Sequence, residues 1–382
     1  MPSSTAPGAA RMRALAADLP NGFLSGFRAG RDLALPNGEG GARVYAVGMG
    51  GSGIAADLAR GIVDAESHLS LLVVRGPTLP RSVDERARVV LVSYSGETWE
   101  TLRAYDAAGR VRARRLVITS GGSLADRAEH DDVPVLRIPP GMPPRSAVGH
   151  LLGGVLGLLD PAFPESNEAR VTRAAERLRV QIGAFARAGG LAEVLAATLG
   201  DRLPFIYAES SFLPLARRWK TQIEENAKRL AVFDEIPELF HNALVGWDAA
   251  RRPESGRHAV LLLEWASEDP MVRRRVRYLE SLLAHRQVRM ATATLASDDR
   301  LEALLEGIAL GDHMSLALAA RRRVDPYPVE AIGRLKSALT EPALASAPSG
   351  TGRSRSADGP AGTRSRAPPR ARSPRRPSPA NA

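Results

Sequence analysis

The chain has 382 residues, 44% hydrophobic and 25% charged, which is ordinary for a folded protein and long enough for two domains with sizeable cores. It has no cysteine, which excludes disulfides, thiolate nucleophiles and cysteine-ligated metals; its seven histidines form no metal-binding pattern, so neither metal nor cofactor is expected. The formal net charge of +10 invites a nucleic-acid partner, but eight arginines against one acid between Pro342 and Ala382 carry most of it, so the body is nearly neutral and nucleic acid is not expected.

No uninterrupted apolar run approaches the roughly 20 residues of a membrane span; the longest, around Leu151–Leu159, reads as part of a buried helix. The N-terminal segment lacks the apolar core of a secretory signal, and the expected location is the cytoplasm.

In chain order, residues 1–40 form a helical lead-in, followed by two stretches that alternate short apolar strands with helical patterns, the signature of parallel α/β units. The first, 41–160, has strands at Val44–Val47, Leu71–Val74, Val89–Val92, Leu116–Thr119 and Val133–Ile138, with helices near Ile54–Ile62, Thr98–Ala108, Leu124–Glu129 and Ala147–Leu159. Residues 161–200 read as a helical linker. The second, 201–340, has strands near Phe205–Ala208, Ala231–Phe233, His258–Leu263 and Val288–Thr292, and helices near Leu213–Arg229, Met271–His285 and Leu301–Arg321. Residues 341–382, rich in Arg, Ser and Pro with almost no large apolar side chains, read as a disordered tail.

The first strand runs into Gly48-Met49-Gly50-Gly51-Ser52-Gly53, which then becomes helical. Glycines let the backbone turn tightly and aim N–H groups at an anion, the helix N-terminus adds its dipole, and Ser52 offers a hydroxyl. Gly48, Gly50 and Gly53 also fit the dinucleotide fingerprint, which makes an NAD(P) enzyme the first rival. That fingerprint wants a carboxylate at the end of the next strand. Here Arg75-Gly76 stands there instead; an arginine suits only the 2′-phosphate of NADP. The third strand leads into Ser93, Ser95, Gly96 and Thr98, so a second hydroxyl-rich loop faces the first and forms a cup for one phosphate without a buried lysine.

These two loops resemble the phosphate-binding motifs of sugar isomerase (SIS) domains. Further segments, PPRSAVGHLLG (Pro143–Gly153), WKTQIEENAK (Trp219–Lys228), IPELFHNALVGW (Ile236–Trp247) and VDPYPVEAIGRLK (Val324–Lys336), resemble the bifunctional phosphoglucose/phosphomannose isomerase branch. The resemblance spans Val44 to about Leu339 and implies two SIS domains, 41–160 and 201–340, each a mostly parallel β-sheet flanked by α-helices, in a homodimer with active sites at the subunit interface. It implies an aldose–ketose isomerase acting on a sugar 6-phosphate. By resemblance Gly51, Ser52, Ser93, Ser95 and Thr98 hold the phosphate, and Arg145 sits beside the reacting carbons. Glu225 is the catalytic base, His241 opens the sugar ring and Lys336 assists near the hydroxyls.

The chain departs from that branch at Glu224 and Phe240, where it tends to have Asn, at Ala243, where it tends to have Glu, and at Trp99, where a carboxylate is common. Moving a proton between two neighbouring carbons needs one base that reaches both, a fixed cation for the developing oxyanion, and an acid–base group for ring opening. Glu225, Arg145 and His241 suit these roles, but each has a plainer reading. On a helical wheel Trp219, Ile223, Ala227 and Leu230 share one face and Glu225 points the opposite way, as a solvated glutamate does. His241 reads equally as a structural histidine, and Arg145 as a group pairing with local carbonyls or an acid. Only three lysines occur, Lys220, Lys228 and Lys336, all inside the matched segments, a hint that a compact ammonium is wanted there. A sugar-phosphate sensor without turnover stays open beside the isomerase.

Overall fold

The computed structural model describes residues 7–33, 43–163 and 167–340, so the tail expected at 341–382 lies outside the described residues. Contacts divide the chain after Val329: Met1–Val329 forms one compact unit, and a second begins at Glu330.

The first unit opens with α1 (Pro7–Ala17) and α2 (Leu19–Asp32). Next come β1 (Arg43–Gly48), α3 (Gly50–Glu66), β2 (Ser70–Val74), β3 (Arg88–Val92), α4 (Trp99–Arg110), β4 (Arg114–Thr119), α5 (Gly122–His130), β5 (Val135–Arg137) and α6 (Val148–Leu158). The helices α7 (Glu168–Phe185) and α8 (Leu191–Leu199) precede β6 (Leu203–Glu209), α9 (Leu213–Ala227), β7 (Val232–Ile236), α10 (Ala243–Ala249), β8 (His258–Trp265), α11 (Pro270–His285), β9 (Arg289–Leu295) and α12 (Arg300–Arg321). The second unit carries α13 (Glu330–Thr340).

Every strand expected from the sequence is present. The central ones, such as Arg88–Val92, are buried along their whole length, as near-continuous apolar strands in a sheet covered on both faces must be. The first sheet has the order β2-β1-β3-β4-β5 and the second β7-β6-β8-β9, with every pairing parallel. In both, the connections leave the central pair in opposite directions, so a crevice opens at the carboxyl ends of β1 and β3, and of β6 and β8.

One continuous apolar core joins the two sheets, and α12 lies at its centre, packed on α7, α8 and α9. By length and composition α12 could cross a membrane, but 89% of its most apolar 18-residue stretch is buried inside the protein. The helix is the one expected near Leu301–Arg321, and polar groups that interrupt its apolar run, among them Asp312, His313 and Ser315, are themselves buried. The stretch read as a linker, α7 and α8, also packs into this core. α6 lies against α2 at backbone contact: a Cβ on Gly153 would sit 2.1 Å from the Phe23 carbonyl oxygen, and one on Gly26 2.3 Å from that of His150. Larger residues at either place would force the helices apart.

Candidate active site

The two loops singled out in the sequence lie side by side at the carboxyl ends of β1 and β3. Ser52, in the first turn of α3, is buried, and its Oγ accepts the Tyr94 N–H at 3.1 Å, which locks one loop to the other. Ser93 Oγ donates to Thr98 Oγ1 at 3.0 Å, and Ser95 Oγ accepts the Glu97 N–H at 3.3 Å. In this pattern Ser52, Ser95 and Thr98 act as acceptors within the protein, and each keeps its own O–H to donate to an anion. Gly96, at φ +69°, makes the tight turn between them; a Cβ there would lie 1.8 Å from the Gly121 carbonyl oxygen.

Arg75, the arginine on which the NADP rival relies, already has a carboxylate partner within the protein. Asp57 of α3, itself buried, holds it at 2.5 Å and also accepts from Arg217 of α9 at 3.1 Å.

The loop pair positions Arg145. The Tyr94 hydroxyl donates to the Pro139 carbonyl at 3.1 Å and accepts the Met142 N–H at 2.8 Å, which fixes the segment leading into the short helix Pro144–Ala147. Gly51 lets that helix approach, since a Cβ there would sit 2.9 Å from the Pro144 carbonyl oxygen and 3.3 Å from Arg145 Cα. Arg145 is 2% exposed and points from the two loops into the second half of the chain. There its Nη1 meets Glu225 Oε2 at 3.3 Å, its Nε donates to Asn226 Oδ1 at 2.8 Å, and its Nη2 donates to the Pro326 and Tyr327 carbonyls at 2.7 and 3.0 Å. Burial lowers the Arg145 pKa from its ordinary value, and Glu225 and Asp312 work against that shift.

Glu225 therefore does not stand as the solvated glutamate of the helical wheel. Its side chain is 28% exposed and ion-paired to Arg145, brought from 80 residues away. The wheel also failed at its end: α9 stops at Ala227, because Lys228 takes a left-handed conformation (φ +53°), and Leu230 is left 75% exposed instead of continuing the apolar face. Lys228 closes the helix with its ammonium, donating to the Glu225, Pro326 and Pro328 carbonyls, the last at 2.6 Å. Three carbonyls around one Nζ is a geometry that suits the compact ammonium of a lysine. Lys220, by contrast, pairs with Glu224 one turn along the same helix, at 2.6 Å.

Behind this contact lies a buried polar network that the sequence reading did not find. Asp312 of α12 accepts Arg218 Nη2 at 2.7 Å on each oxygen and Gln222 Nε2 at 2.6 Å, and Arg218 Nη2 also reaches the Arg145 carbonyl at 3.2 Å. The available signal was the spacing of Arg218, Gln222 and Asn226, four residues apart on one face of α9, opposite polar residues inside an otherwise apolar α12.

Two expected residues remain. His241 is exposed at the end of the short helix Glu238–His241 beyond β7, and it makes no hydrogen bond or ion pair with Arg145 or Glu225. Lys336 is carried by α13, in the second unit.

Two parallel sheets of this order, with a hydroxyl-rich crevice on the first, define an SIS-type protein. The C-terminal domain of glucosamine-fructose-6-phosphate aminotransferase from Francisella tularensis has the same fold at a TM-score of 0.64, with 12% identity over 82% of this chain and 96% of that one. Residues 189–339 match the family described as bacterial phospho-glucose isomerase C-terminal SIS domain. The bifunctional phosphoglucose/phosphomannose isomerase of Caldicellulosiruptor bescii is 31% identical over 85% of this chain and 97% of its own length; that of Aquifex aeolicus is 32% identical over 76% and 88%. The chain belongs to the bifunctional phosphoglucose/phosphomannose isomerase family.

Proposed function

We propose that this chain interconverts glucose 6-phosphate, and also mannose 6-phosphate, with fructose 6-phosphate by metal-independent proton transfer. The observation that carries the reading is the Arg145–Glu225 contact, built beside the two hydroxyl loops. The 6-phosphate sits between Gly51, Ser52, Ser93, Ser95 and Thr98, held by neutral donors and the N-terminal end of α3. That anchors the far end of the sugar and leaves carbons 1 and 2 to face the carboxylate.

From the open-chain aldose, the Glu225 carboxylate removes the proton on C2 while electrons move onto O1, giving an enediolate. The proton on O2 then passes to O1, the same carboxyl group returns its proton to C1, and O2 becomes the ketose carbonyl. No electrons enter or leave overall, so the conversion needs no redox partner. Arg145 stabilises the negative oxygen, a kind of electrostatic assistance worth about 10²–10³ in rate when one donor is removed. His241, exposed on its own chain, opens the ring from the neighbouring copy of a homodimer, and Lys336 supports the sugar hydroxyls. Phe240 and Ala243, flanking His241, set the balance between glucose and mannose substrates. We place the enzyme in the cytoplasm.

The test is a coupled assay of fructose 6-phosphate conversion to each aldose phosphate in buffer with EDTA, comparing the intact chain with Glu225→Gln. Turnover that survives EDTA and collapses in the variant supports the reading. Binding of the sugar phosphate with neither product formed would instead make the protein a sugar-phosphate-binding regulator.

A further inference from the structure

A guanidinium carries five N–H donors and no acceptor. Four of those of Arg145 are occupied: Nε by Asn226 Oδ1, both Nη2 hydrogens by the Pro326 and Tyr327 carbonyls, and one Nη1 hydrogen by Glu225. Among the described residues, only the second Nη1 hydrogen is left without a protein acceptor. The cation therefore has one edge for chemistry, and that edge is the one touching Glu225.

We propose that Asn226 is the positioning residue that aims this edge, an inference that rests on the isomerase reading above. Asn226 follows Glu225 directly, so two consecutive residues of α9 grip two different nitrogens of one guanidinium. Its orientation is determined by chemistry. Arg145 can only donate, so the amide oxygen must face it, and the amide nitrogen donates the other way to Ser315 Oγ at 3.0 Å. Ser315 Oγ in turn donates to the Asp312 carbonyl at 2.8 Å, which ties the arrangement to α12. Asn226 and Ser315 are 1% and 0% exposed, so bulk solvent does not reach these bonds. The backbone of Arg145 is held independently by Arg218, itself paired with Asp312. With main chain and Nε both fixed, the side chain cannot rotate Nη1 away from the carboxylate. A reacting group moved by about 1 Å can lose 10²-fold in rate, so an oriented cation is worth a buried polar network.

Two substitutions separate positioning from mere packing. Asn226→Leu keeps the size and removes the acceptor. Asn226→Asp keeps the acceptor toward Arg145, and the nearby cations Arg145, Arg218 and Lys228 match the anions Glu225, Asp312 and Asp325 in number, so the added carboxylate meets no excess of negative charge. We expect kcat on fructose 6-phosphate to fall about 100-fold in Asn226→Leu, with KM within about 3-fold because the phosphate loops are untouched. Asn226→Asp should stay within about 5-fold of the intact protein. Peptide mapping after butanedione treatment gives a readout that does not need activity: Arg145 should resist modification in the intact protein and Asn226→Asp, and react in Asn226→Leu.

Wild-type kcat with a protected Arg145 in Asn226→Leu would overturn the proposal, as would equal losses in both variants. If the intact protein turns over no sugar phosphate, the isomerase reading fails on its own, and the Arg145 modification pattern still decides the clamp. Should Asn226→Leu not fold, Ser315→Ala removes the anchor behind Asn226. Raised Arg145 reactivity in that variant supports the clamp, and unchanged reactivity refutes it.

Discussion

The two sheets share a strand order, but the crevices at their carboxyl ends carry opposite chemistry. Between β1 and β3 lie glycines, hydroxyls and a helix N-terminus. At the corresponding place in the second sheet, Glu209 ends β6, Glu264 lies near the end of β8, and Glu268 follows it. Burial, then Glu209 and Glu264, push the Glu268 carboxyl up to about 7. Neither of its oxygens has a hydrogen-bond partner among the described residues. On the proposed reading, the same topology gives one half the anion site and leaves the other to supply α9, with Glu225, across the shared core. Fold alone decides where a crevice opens; the side chains at the strand ends decide what can enter it.

The sharpest way to break that division of labour is Glu225→Gln, which should lower kcat by about 10³-fold or more while KM moves little, measured by steady-state kinetics on fructose 6-phosphate. A large KM change instead would put Glu225 in binding, not chemistry.

Second in size is Asp312→Leu, behind the site. It strands the buried Arg218, and breaking a buried pair from one side costs about 3–5 kcal/mol, read as a lowered denaturant midpoint. A midpoint near wild type would show that water or another acid reaches Arg218.

Ser95→Ala tests the first crevice more gently. Losing one hydrogen bond to a charged phosphate costs about 1.5–3 kcal/mol, so KM should rise at least 10-fold with kcat nearly unchanged.

The smallest effect sharpens the contrast from the other side. The folded-state pKa of Glu268 is raised from the ordinary 4.5 to about 7, so between those values the folded protein holds more protons than the unfolded chain. Its contribution is present below pH 4.5, is lost as pH rises through about 7, and levels off above that. Glu268→Gln should therefore raise the melting temperature by a few degrees at pH 8 and by little at pH 5, measured by calorimetry across that range. A gain that does not vary with pH would remove the titration from the account.

The sequence made the strands legible because central parallel strands are short, uniformly apolar and followed by glycine or hydroxyl turns, and Val89–Val92 with Ser93, Ser95 and Thr98 shows all of this in ten residues. The positions of both loops could be read for that reason. Arg145 and Glu225 were named only through resemblance, because an ion pair spanning 80 residues leaves no local pattern. Helical periodicity even pointed Glu225 toward solvent, since a wheel records the apolar face and cannot know that Arg145 arrives on the other. Asn226 and Asp312 were missed because buried polar residues inside helices look, one at a time, like tolerated surface residues. Lys228 stood out only as one of three lysines, and its left-handed backbone, which ends α9, has no signature in composition.

The most direct test is titration calorimetry of fructose 6-phosphate into Glu225→Gln, alongside its turnover. If the first half holds the phosphate and the second supplies the base, this variant binds one sugar phosphate per chain with near wild-type affinity and forms no product. Lost binding, or turnover that persists, would contradict the account.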